Sequence, residues 1–137
     1  MGVILNETGE QHEWTLTEHR ITCLLIDPSS VRLQSWELSG ELEVRLGAEF
    51  SLALPGGEPR LLDPERTTSL APLLGLMGEE ITRIRIARSG VLALELAGGA
   101  TFAVHPHPAY EAWEMEMVRD TERVGCLCAP GGGSPWG

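Results

Sequence analysis

The sequence predicts an α+β domain: a single twisted antiparallel β-sheet of roughly six to eight strands, with one short, Pro-interrupted helical segment on one face. Three observations carry this. From Ile81 to Val104, three period-2 runs are joined by the short turns Ser89-Gly90 and Gly98-Gly99, the pattern of an antiparallel meander with one buried face. Leu42, Val44, Leu46, Ala48, Phe50, Leu52 and Leu54 keep one parity without a break. Leu70, Leu73, Leu74 and Met77 fall at i, i+3, i+4 and i+7, the apolar stripe of a short helix.

Taken in order, residues 1–13 are polar and aperiodic and read as a flexible N-terminal arm, with one α+β domain over residues 14–137. Ile21 to Ile26 is a candidate buried strand. Asp27-Pro28-Ser29-Ser30 is a turn, because Asp accepts from the backbone ahead and Pro presets φ. Val31 to Glu37 returns as a strand, and Ser39-Gly40 turns it again. At Gly47-Ala48 the chain either makes a hairpin or bends within one long strand; the unbroken parity favours the bend. Pro55-Gly56-Gly57 ends that strand, and Arg60-Leu61-Leu62 pairs back. Asp63-Pro64-Glu65 has the residues of a helix start, and a second start at Ser69 places Pro72 in a first turn, where its missing N–H costs nothing. Gly78 suits the stop. After the meander, His105-Pro106-His107-Pro108 ends the third strand, Ala109 to Trp113 is a turn or short helix, Met115 and Met117 alternate with acids but would also fit helical spacing, and Val124 to Ala129 is a last strand. The end, from Pro130 to Gly137, is rich in Gly and Pro.

At 137 residues the chain is most simply one domain. No run approaches the ~20 apolar residues of a membrane span, and no basic n-region with a long apolar core opens the chain. Three cysteines without an export signal imply reduced thiols in a cytoplasmic protein. The formal net charge is −10, and every basic residue is an arginine. Without a basic cluster to release counterions, binding to nucleic acid is not expected. The absence of lysine also removes the phosphate ligand of a P-loop and any Schiff base.

Four sets of residues could carry chemistry. His105-x-His107 and Cys126-x-Cys128 would present a tetrahedral N₂S₂ zinc set if each lay on a strand. Pro106 and Pro108 disturb the first pair, and Cys-x-Cys is not a zinc-knuckle spacing, so no metal and no cofactor are expected. A nucleophilic Cys126 or Cys128 would need a neighbouring base, and no signature supplies one. Cys23 sits in an apolar run as a small core residue. Glu111, Glu114 and Glu116 could pair as acid and base, but a chain with 20 acidic residues makes such clusters by chance, and a solvated edge explains them. Trp36, Tyr110, Trp113 and Trp136 are core anchors or a binding surface; for Tyr110 and Trp113, just past a strand, a core role is favoured.

Leu62-Asp63-Pro64-Glu65, Leu70-Ala71-Pro72-Leu73-Leu74, Gly90-Val91-Leu92-Ala93-Leu94, Tyr110-Glu111-Ala112-Trp113-Glu114 and Cys128-Ala129-Pro130-Gly131-Gly132 with Trp136 together resemble a family of small bacterial proteins, frequent in actinobacteria, whose domain has no known function. The resemblance covers roughly residues 15–137. It implies that Trp136 belongs to the domain, and it carries no reaction, cofactor or catalytic residue over to this chain. Small acidic α+β domains also resemble, in style, bacterial immunity proteins, which bind and block a toxin; a fold-level likeness is not a function.

The preferred reading is a non-enzymatic cytoplasmic binding module, in the manner of an immunity protein, with a basic protein as partner and no membrane or nucleic acid. Its candidate binding residues are His105, His107, Tyr110, Glu111, Trp113, Glu114 and Trp136, and no residue is assigned a catalytic role. The alternative is a small-molecule-binding or enzymatic domain with a pocket near His105, His107 and Tyr110. Sequence leaves the oligomeric state open.

Overall fold

A computed structural model describes residues 4–5, 11–37, 40–119 and 122–127. In chain order its strands are β1 (Ile4–Leu5), β2 (Gln11–Thr15), β3 (Cys23–Ile26), β4 (Val31–Glu37), β5 (Gly40–Leu46), β6 (Phe50–Ala53), β7 (Arg60–Leu62), β8 (Ile81–Ala87), β9 (Leu92–Leu96), β10 (Thr101–Val104), β11 (Trp113–Arg119) and β12 (Glu122–Leu127). A 3₁₀ helix, Thr67–Leu76, lies between β7 and β8. β1 and the start of β2 fall within the stretch expected to be an arm.

The strands build two antiparallel sheets instead of the single sheet expected. One has seven strands in the order β1-β2-β8-β9-β10-β6-β7, and the other five in the order β12-β11-β5-β4-β3. The long single-parity run explains the division. Leu42, Val44 and Leu46 are buried on the five-stranded sheet, while Phe50 and Leu52 are buried on the seven-stranded one. The chain therefore bends at 47–49 and changes sheets without changing which side chains face inward, a corner typical of packed sheets. Each sheet has one apolar face, and a single 3₁₀ helix is too small to cover either. The faces bury against one core: Val31, Leu33, Val44, Trp113, Met115 and Met117 share a cluster with Trp14, Ile84, Leu94, Phe102 and Val104.

The meander appears as β8, β9 and β10, paired in sequence. One feature of it was hidden in the pattern. Ile81 is odd-numbered while Ile84, Ile86, Leu92 and Leu94 are even, yet all are buried. A register shift between Ile81 and Arg83 inserts the extra residue that returns Ile81 to the core. On the outer face, Arg83 pairs with Glu13 (2.9 Å) and Glu95 (3.5 Å), and Arg85 with Glu95 (3.1 Å), so opposite charges alternate there.

The helical segment differs from its expected form. Its buried residues are Leu70, Leu73 and Leu76, while Leu74 is 64% and Met77 43% exposed. A 3₁₀ helix has three residues per turn, so i, i+3 and i+6 align, and an α-helical stripe does not. Asp63 does not cap it. Asp63 Oδ1 accepts from the Glu65 N–H (2.9 Å), the Asp63 N–H donates to Ser69 Oγ (2.9 Å), and Ser69 Oγ donates to the Asp63 carbonyl (2.9 Å), so a closed turn precedes the helix.

The strand expected to be buried at Ile21–Ile26 is the sheet's edge. Among the described residues only β4 flanks β3, and although Ile21 is buried, Leu25 and Ile26 are 43% and 42% exposed. The turn after it forms as expected: Asp27 Oδ1 accepts from the N–H groups of Ser29 (2.9 Å) and Ser30 (2.8 Å).

Candidate functional site

Of the residues expected to bind, His107, Tyr110 and Glu111 lie at one place, Glu114 at a second, and Trp113 in the core. His107 and Tyr110 stack, with ring centroids 3.8 Å apart and planes 14° from parallel, and His107 Nδ1 accepts from the Ala109 N–H (3.0 Å). Tyr110 is 39% exposed, so it is a surface ring and not the core anchor expected. Burial of its hydroxyl, and then the charges of Glu65, Asp63 and Glu49, push its pKa above the usual phenol value. Tyr110 and Glu111 line a groove of about 270 Å³ with Ser29, Arg45, Gly47 and Glu65. Neither His105, which is exposed, nor His107 lines it. Trp113 is fully buried, and its indole N–H donates to the Gly90 carbonyl (2.8 Å), linking β11 to the β8–β9 turn across the core. Trp136 and Cys128 lie outside the described residues.

Among the described residues no group of three or more His, Cys, Asp or Glu side chains is arranged to hold a metal. Cys126 is buried, and loss of solvent pushes its thiol up to about 12. The thiolate that would attack or ligate is thus suppressed at neutral pH.

The second place is the outer face of the five-stranded sheet. Register aligns its outward residues in rows across the strands. Glu114 lies opposite Arg45, and Arg45 opposite Arg32. In the next row Glu116 lies opposite Glu43, and Glu43 opposite Gln34. In the third, Val118 lies opposite Glu41, and Glu41 opposite Trp36. The first row sets two arginines against one glutamate. The second and third form a groove of about 220 Å³ lined by Gln34, Trp36, Glu41, Leu42, Glu43, Glu116 and Val118, with three carboxylates and no cation in its lining. Trp36 stands 60% exposed beside it.

Two contacts moderate this negative field. Gln34 Nε2 donates to Glu43 Oε1 (2.6 Å), and Arg123 Nη1 meets Glu116 Oε1 at 3.1 Å. Glu43 and Glu116 nonetheless sit directly opposite one another, an arrangement of like charges that disfavours the sheet. Parity in the sequence marks Glu41, Glu43 and Glu116 as outward-facing. It does not make β5 and β11 neighbours, and so it could not bring these three acids together or add Gln34, Trp36 and Val118 to them.

Fold and surface together define an antiparallel two-sheet domain with arginine–glutamate pairs on one outer face and a carboxylate-lined groove beside an exposed tryptophan on the other. The chain belongs to the family of unknown function DUF6188, whose profile matches residues 12–136. No curated protein and no solved structure matches it. No helix among the described residues is long and apolar enough to cross a membrane.

Proposed function

We propose that this chain is a non-enzymatic cytoplasmic binding module that holds a basic protein partner on the outer face of its five-stranded sheet, as an immunity protein masks its toxin. One observation carries the reading: Glu41, Glu43 and Glu116 converge beside the exposed Trp36. A concentrated negative field speeds encounter with a basic partner, and an exposed tryptophan is a common anchor in an interface core. The groove at Tyr110 gives less support to the alternative of a small-molecule site. Its roughly 270 Å³ falls short of the ~300–1,000 Å³ of ligand pockets, and the histidines do not line it.

The test is affinity capture from source-cell lysate at low and high salt, with the wild-type chain and a Glu41→Gln, Glu43→Gln, Glu116→Gln variant. A basic protein, identified by mass spectrometry, should be retained at low salt by wild type alone. Its retention should fall at high salt, as the Debye length shrinks from ~10 Å at 0.1 M to ~3 Å at 1 M. Equal retention by the variant would remove the acidic face from the function.

A further inference from the structure

We infer that the groove between Trp36 and Glu116 is a pocket for one arginine side chain of the partner. This rests on the binding-module reading and identifies the group that the acidic face recognises. Size is the first argument. About 220 Å³ is far more than one ion needs and less than the ~300–1,000 Å³ that encloses a drug-sized ligand, which suits an inserted side chain.

Hydrogen-bond capacity is the second. Gln34 is only 7% exposed and lines the groove, and its Oε1 is buried with no donor among the described residues. Buried polar atoms rarely lack a partner, and here the neighbouring acceptors, Glu43 and Glu116, cannot supply one. What the site lacks is a multiple donor with positive charge. A guanidinium offers five N–H groups in one plane, enough to meet Gln34 Oε1 and both carboxylates, and it relieves the repulsion between Glu43 and Glu116.

Shape is the third. The exposed indole of Trp36 flanks the same groove, and a planar guanidinium stacks on such a face while hydrogen-bonding at its edge. A lysine ammonium has three donors around a point charge and offers no planar face to stack on the indole. Arg123 already meets Glu116 from the rim, with side chains 71% and 40% exposed, so the groove has one intramolecular example of the interaction. Exposed pairs of that kind hold weakly, and an incoming arginine can replace it.

The test titrates blocked tripeptides, N-acetyl-Ala-Arg-Ala-amide and its lysine and citrulline counterparts, into the full chain, followed in ¹H–¹⁵N spectra through the Trp36 indole N–H. The arginine peptide should shift that signal and the neutral citrulline peptide should not, with lysine binding more weakly than arginine. Trp36→Ala, a change at an exposed position, should weaken the arginine peptide about two- to fivefold. Glu116→Gln should weaken it too. Glu58→Gln, at an exposed loop position between β6 and β7 of the other sheet, should leave it unchanged. Equal binding of the lysine and arginine peptides, or equal loss in Glu58→Gln and Glu116→Gln, would overturn the pocket and leave only diffuse attraction. A partner captured equally well by wild type and Trp36→Ala would also overturn the pocket while sparing the binding-module reading. A groove-specific arginine preference with no basic partner in the lysate would instead count against that reading and keep the pocket.

Discussion

Trp113 is fully buried at the start of β11, and its indole N–H reaches the Gly90 carbonyl on the opposite sheet. Truncation to alanine should cost about 3–5 kcal/mol, seen as a lower urea midpoint. Trp113→Phe keeps most of the ring but loses the indole hydrogen bond, so it should cost about 0.5–1.5 kcal/mol. An unchanged midpoint in both would take Trp113 out of the core. Cys126 gives a pH signature. Its folded pKa is raised by burial from 9.0 to about 12. Below 9.0 both folded and unfolded chains keep the proton, and the thiol's contribution is fully present. Above it the unfolded chain ionises first, so stability falls as pH rises through that window. Wild type should lose urea resistance as pH rises from 9.0 towards about 12, and Cys126→Ala should flatten part of that loss.

At the scale of elements, the 3₁₀ helix makes a contrast that an α-helix would not. Leu73 is 1% exposed and Leu74 64%. Leu73→Ala should cost about 2–5 kcal/mol, and Leu74→Ala should stay within about 0.5 kcal/mol of wild type. Comparable losses from the two would restore the α-helical stripe read from the sequence. The reason for the 3₁₀ form lies next to it. The Asp63–Ser69 hydrogen bonds close a turn that uses up the expected cap, and Pro72 lies inside the segment without an N–H to donate. Apolar spacing cannot register either constraint, because i and i+3 are shared by both helix types.

For the molecule as a whole, the two sheets share one buried cluster, and the chain crosses between them at 47–49. Among the described residues the 3₁₀ helix adds Leu70, Leu73 and Leu76 to that cluster, and each sheet is the other's main cover. The sheets should therefore unfold together, with urea transitions by far-UV circular dichroism and by tryptophan fluorescence superimposing. Separate midpoints would show that the sheets are independently stable.

Much of this was readable from residues alone. The meander, the β4 strand, the Asp27 turn, the return of Arg60–Leu62 and the inward set from Leu42 to Leu52 all follow from period-2 alternation and turn chemistry, which act over a few residues. The number of sheets, the edge position of β3, the bulge in β8 and the surface position of Tyr110 do not, because each depends on which distant strand lies alongside. The candidate site divides in the same way. Parity turned Glu41, Glu43 and Glu116 towards water, but only the pairing of β11 with β5, and of β5 with β4, set those acids opposite Gln34 and Trp36. Alternation reports which face a side chain takes; which strands become neighbours is decided by the burial of two apolar faces on one another.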